Sequence, residues 1–148
     1  MIKKILVASV LLLLALHVPA FELGLAGGSI SRPAGFCYGL SFSSGAFVPL
    51  VFLEFEGWRI DEGGRKQLTA GVKLRPKLGA FSPYAVLGAG SEFRTLSLRF
   101  SEQDFFTFVG GGLHVYLSGM LSLRGDLRLQ HLPYGNRFRA SGGIFIHL

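Results

Sequence analysis

From Phe21 onward, apolar and polar side chains alternate with a period of two, the signature of half-buried β-strands rather than of helices. The pattern is cleanest over Leu121 to Gln130. There Leu121, Leu123, Gly125, Leu127 and Leu129 face one way, and Ser122, Arg124, Asp126, Arg128 and Gln130 face the other. The final segment repeats it, with Phe138, Ala140, Gly142, Ile144, Ile146 and Leu148 set against Arg137, Arg139, Ser141, Gly143, Phe145 and His147, and with Phe145 as the intruder on the polar side. Similar alternation runs from Phe21, from Phe36, over Val51 to Glu56 (broken by Phe52), over Leu68 to Arg75 and over Val109 to Leu117. A further strand begins at Tyr84. Both of its faces are small or apolar as far as Gly90, so its register stays open.

Turn-forming clusters divide these runs: 31–35, 43–45, 61–64, 76–83, 101–104, 118–119 and 133–136. Seven breaks predict eight strands. At about ten residues each, eight tilted membrane-crossing strands take roughly 80 residues and leave short connections, with no room for a second domain.

Residues 1–20 are of another kind. Lys3 and Lys4 precede an apolar run from Ile5 to Leu16 and a segment ending Val18-Pro19-Ala20, the layout of a secretory signal peptide cleaved before Phe21. A signal anchor is the alternative, against which the run is shorter than the ~20 residues of a spanning helix. Cleavage leaves 148 − 20 = 128 residues, a single domain over 21–148, and removes two lysines from a formal charge of +6. The remaining basic residues are scattered, which argues against nucleic acid as a partner. Cys37 is the only cysteine, so no intrachain disulfide stabilises this exported domain.

Alternation alone does not separate a soluble barrel from one in lipid. The polar face decides it. It mixes glycine and serine with charges of both signs: Glu22, Glu54, Glu56 and Asp126 against Lys73, Arg75, Arg124, Arg128 and Arg139. Small residues and balanced charges suit the crowded interior of an eight-stranded barrel, where buried charge persists only when paired. The apolar face carries almost no charge, as lipid demands. Glu54, Glu56, Lys73, Arg75, Arg124, Asp126 and Arg128 are therefore expected to form an interior ion network. His114 and His147 point into it, and Cys37 fills space. Tyr38, Trp58, Tyr84, Tyr116 and Tyr134 lie near predicted strand ends, where interfacial aromatic belts are expected.

In Pro83-Tyr84-Ala85-Val86-Leu87-Gly88-Ala89-Gly90, in Leu121 to Arg128 and in its terminal amphipathic strand, the chain resembles the small outer-membrane β-barrel proteins of the OmpA-like and OmpX-like kind, over essentially all of 21–148. The resemblance implies an all-β fold: an eight-stranded antiparallel up-and-down transmembrane barrel, closed between 21–30 and 137–148, with both termini in the periplasm. The family's assembly signal usually ends in an aromatic residue, whereas this chain ends in Leu148.

No complete catalytic or metal-binding constellation accompanies this pattern, and no cofactor is expected. The weak catalytic candidate is His131. Arg128-Leu129-Gln130-His131-Leu132-Pro133 is similar to the lipid A 3-O-deacylase family, in which a serine nucleophile follows the histidine by two residues; here that place is Pro133, and no acidic residue follows to orient the imidazole. Glu54 and Glu56 share a face, but Lys73 and Arg75 favour an ion network over acid–base chemistry. Arg32, Arg59, Arg65, Lys66 and Arg137, at predicted outer loops, are suited to lipopolysaccharide phosphates, or are simply solvated. The hairpin from Phe93 to Phe106, with Arg99, Glu102 and Asp104, is the longest exposed feature and a site for an external partner. The expected partners are outer-membrane lipids, lipopolysaccharide and the outer-membrane assembly machinery, around a monomer. Three readings stay open: a structural, adhesive or surface-interaction role without catalysis, a divergent deacylase, and a narrow small-solute pore.

Overall fold

A computed structural model describes residues 20–32, 34–45, 50–94 and 105–148. Eight strands follow in chain order: β1 (Phe21–Ser31), β2 (Ala34–Gly45), β3 (Val51–Ile60), β4 (Arg65–Leu74), β5 (Phe81–Phe93), β6 (Phe105–Tyr116), β7 (Leu121–Leu132) and β8 (Gly135–His147). Each pairs antiparallel with its neighbours, and β8 returns to β1 from Glu22↔His147 to Ile30↔Arg139, closing the barrel within the expected segments. A one-turn 3-10 helix, Glu62–Gly64, joins β3 to β4. Residues 1–19 of the signal segment, Arg99, Glu102 and Asp104 lie outside the described residues.

The period of two becomes two surfaces. Leu25 and Leu127 are 67% and 66% exposed on the outside, whereas Arg128, the next residue after Leu127, is 1% exposed on the inside. Phe145 is no exception, because it fills the interior. Gly24 makes room for it: a Cβ there would sit 2.2 Å from the Phe145 ring.

The breaks fall where expected but are tighter than the turn-forming clusters suggest. Ser43, Ser44 and Gly45 belong to β2, because both flanking strands reach them, through Glu22↔Ser43 and Ser43↔Glu54. Ala34 and Gly35 open β2, and Gly135 and Asn136 open β8. Pro83 lies in β5. The β4–β5 ladder starts only at Ala85, so its missing N–H breaks no bond there.

The register of β5 is set by Lys66↔Phe93 through Leu74↔Ala85, which turns Ser82, Tyr84, Val86 and Glu92 inward. Its glycines are the complement of aromatic residues on β6. A Cβ at Gly88 would approach the Phe108 ring to 2.7 Å, and one at Gly90 the Phe106 ring to 2.6 Å.

At the β1–β8 seam, inward positions crowd against backbone. A Cβ on Gly28 would lie 2.0 Å from the Ala140 carbonyl oxygen. Gly28→Ala is therefore expected to destabilise the barrel by about 1–3 kcal/mol through overpacking, read as a lower urea midpoint for the lipid-refolded protein. A variant as stable as the parent would show that the seam yields.

Candidate functional site

The mid-barrel interior is an ion-pair network centred on β3. Period-two geometry places Glu54, Glu56 and Trp58 on its inner face, and all three are buried. Glu54 accepts from Lys73 Nζ at 3.1 Å, Arg124 Nη1 at 2.8 Å and Arg128 Nη2 at 2.5 Å. Glu56 accepts from Arg124 at 2.7 Å, Arg128 at 3.0 Å, Arg139 at 2.7 Å and the Trp58 indole at 2.7 Å. Asp126 takes the Nε of Arg128 at 2.8 Å and the Tyr84 hydroxyl. Glu22, near the rim that carries the termini, pairs with Lys73 at 3.4 Å and with Arg75. All seven residues expected to form the interior network are thus brought together, and Glu22 and Arg139 complete it.

Interior rings serve the same cations. The Arg139 guanidinium lies 4.0 Å from the Trp58 ring centroid, and that of Arg124 lies 4.1 Å from Phe145. This corrects the expected interfacial belt. Trp58 and Tyr84 are buried interior residues, and Tyr116 is half-buried with its ring 4.9 Å from His147. Their strand parity points inward, and parity outranks the preference of aromatic rings for interfaces. Tyr38 and Tyr134 are exposed.

A second polar group closes the opposite, distal mouth. Glu92 accepts from Arg65 at 2.9 Å, Gln67 at 2.8 Å and Arg137 at 2.6 Å, while Arg137 also donates to Gln130 at 2.9 Å. Arg65 and Arg137, expected as loop cations, are therefore bound inside the mouth. Arg65 is the first residue of β4 and Arg137 the third of β8, both at inward parity. Glu92, Gln67 and Gln130 were not expected as a cluster; extending the β5 alternation past Gly90 to Glu92 was the signal for it.

The remaining candidates separate. His131 is outward and exposed, as its parity requires, and its Nδ1 lies 2.6 Å from the Asn136 side-chain oxygen. Beside it a depression of about 480 Å³ is lined by Phe105, Thr107, Leu132 and Pro133. Pro133 carries no nucleophile, and no Thr107 hydrogen bond engages the imidazole.

A closer approximation to a hydrolase triad lies inside. Ser122 Oγ sits 2.6 Å from His147 Nε2, whose Nδ1 is 3.2 Å from Glu22. Ser122 is fully buried, however, and His114 Nδ1 occupies its other side at 3.2 Å, so an acyl group has no approach to the hydroxyl. Cys37 is buried and unbonded to sulfur, as the space-filling role implies. Among the described residues, no three His, Cys, Asp or Glu side chains converge on a metal position.

No protein-family model matches the chain, and no curated protein is matched by its sequence. Solved structures do match. The N-terminal β-barrel domain of Pseudomonas aeruginosa OprF superposes with a TM-score of 0.72 at 15% identity, covering 87% of this chain and 97% of that one. Neisserial surface protein A gives 0.60 at 13% identity, over 86% and 95%. The Yersinia pestis outer membrane protein Ail gives 0.57 at 15% identity, over 86% and 99%. At such identities the likeness is one of fold. In its closed ring of eight antiparallel strands, the chain has the fold of the small outer-membrane β-barrels of the OmpA-like and OmpX-like kind.

Proposed function

We propose that the chain is an integral protein of the bacterial outer membrane, exported by residues 1–20 and inserted as a monomer by the outer-membrane assembly machinery. Its role is structural or interactive at the cell surface, without catalysis. The observation that carries this reading is the inversion of surfaces, with ionised side chains sealed inside and leucines outside. A protein in water gains by the reverse arrangement, whereas in lipid each outward charge near the midplane costs about 2–4 kcal/mol.

One connection supports the orientation inferred from the resemblance: the longest, between Phe93 and Phe105, lies at the distal rim, as in barrels whose long loops face outward. The hairpin bearing Arg99, Glu102 and Asp104 then meets the exterior. Ion pairs that bridge the lumen, such as Arg124 with Glu54 and Arg137 with Glu92, favour this reading over a pore.

The test is solvent dependence. Residues 21–148 are expected to aggregate in plain buffer. In detergent or phospholipid vesicles they should become a monomeric β-rich species that migrates faster on a denaturing gel until it is boiled. A folded, monodisperse polypeptide without detergent would overturn the proposal.

A further inference from the structure

Arg59 on β3 and Lys66 on β4 are direct cross-strand partners on the outward face, next to Tyr38 and Phe93 on the flanking strands. Two like charges set opposite each other destabilise a sheet. Neither takes part in an ion pair with a carboxylate among the described residues, whereas Arg65, the residue before Lys66, is paired with Glu92. Both stand near the distal ends of their strands, on a face otherwise built of leucine, phenylalanine, valine, alanine and glycine. An uncompensated cation pair at the edge of an apolar surface calls for an anion that brings its own apolar part.

The surface beneath the pair is shaped for that part. A concavity of about 1130 Å³ runs from Arg59 and Lys66 toward Leu23 and Ile146 near the terminus-bearing rim. Its walls include Leu25, Leu40, Leu68 and Ile144, and its floor is opened by Gly27, Gly57 and Gly142, outward positions without side chains. The lining passes from β8 through β1, β2, β3 and β4 to Phe93 at the end of β5, five interstrand spacings of about 4.8 Å each. That width, about 24 Å, takes several acyl chains abreast.

We propose that this face binds a phosphorylated, multiply acylated glycolipid of the outer leaflet, an inference that rests on the reading of the chain as an outer-membrane barrel. A phosphate sits between Arg59, which offers a bidentate guanidinium, and Lys66, which adds a point charge. The acyl chains descend over the glycine floor between the leucine walls. The width of the groove, beyond what a two-chain phospholipid fills, selects the glycolipid.

The probe is purified bisphosphorylated hexa-acyl lipid A, titrated against the full mature barrel in detergent micelles and followed by native mass spectrometry. One lipid is expected to bind, and the double variant Arg59→Gln, Lys66→Gln should bind it about thirtyfold more weakly, at roughly fivefold per charge. Dephosphorylated lipid A should bind the parent as weakly as lipid A binds the double variant. The control Lys77→Gln, at the other rim, should bind like the parent. Equal lipid A binding by parent and double variant would overturn the site, and phosphatidylglycerol competing as well as lipid A would overturn the glycolipid assignment. Heat-modifiable gel mobility of each variant separates these outcomes from failure of the membrane reading, which would appear as folding without detergent.

Discussion

Replacing Glu56 with alanine is expected to cost about 3–5 kcal/mol of folding free energy, the range for breaking a buried ion pair from one side. The carboxylate receives Arg124, Arg128, Arg139 and the Trp58 indole, all within 3.0 Å. Its removal leaves Arg139 with only a 3.8 Å approach to Asp126 as an ion pair. Arg124 and Arg128 still reach Glu54, at 2.8 and 2.5 Å, so the collapse is partial. Glu56→Gln keeps the volume and one acceptor, and should fall between alanine and the parent. Urea titration in vesicles, read by gel mobility, measures the difference. Tryptophan emission is a poor reporter, because Trp58 is the only tryptophan and is bonded to the altered residue. A loss below about 1 kcal/mol, the scale of an exposed ion pair, would mean that the lumen is wet and the network screened.

Changing Leu127 to arginine is the complementary test, with an expected loss of about 2–4 kcal/mol in a bilayer. Leu127 is in the middle of β7 and exposed, with Arg128 beside it wholly enclosed. On a water-facing barrel the same substitution would sit on the solvated surface, where changes away from special features stay within about 0.5 kcal/mol. A neutral Leu127→Arg in lipid vesicles would therefore reverse inside and outside. Paired with Glu56→Ala, it probes both faces of one sheet with opposite chemistry.

How far the fold could be read from the sequence depended on the contrast between the two faces of each strand. In β7 charged residues alternate with leucine and glycine, and in β8 Arg137 and Arg139 alternate with Phe138 and Ala140, so parity alone located the lumen. In β5, serine, glycine, alanine and valine offer little contrast. Its register is decided by Phe106 and Phe108 of the next strand filling the space over Gly90 and Gly88, a long-range fit that no local window contains.

The interior network was legible because opposite charges on one face have few places to go. The distal cluster was not, since Arg65 and Arg137 flank turns and resemble solvated loop cations. Trp58 and Tyr84 are buried for a related reason. The general habit of aromatic side chains to gather at interfaces yields to the inward parity of their own strands.

The guanidinium bonds to Glu54 and Glu56 join residues 68 to 83 positions apart, on β3 and on β7 or β8. No partial sheet made only of the first five strands can neutralise those two carboxylates with the guanidiniums that hold them in the finished cylinder. In a partly inserted chain Lys73 on β4 reaches Glu54, but no cation among the described residues reaches Glu56, which must stay hydrated or enter hydrocarbon as a bare ion, at several kcal/mol. Entry into the bilayer is thereby tied to ring closure, and the last strands to arrive extinguish the charge that kept the first ones at the water's edge.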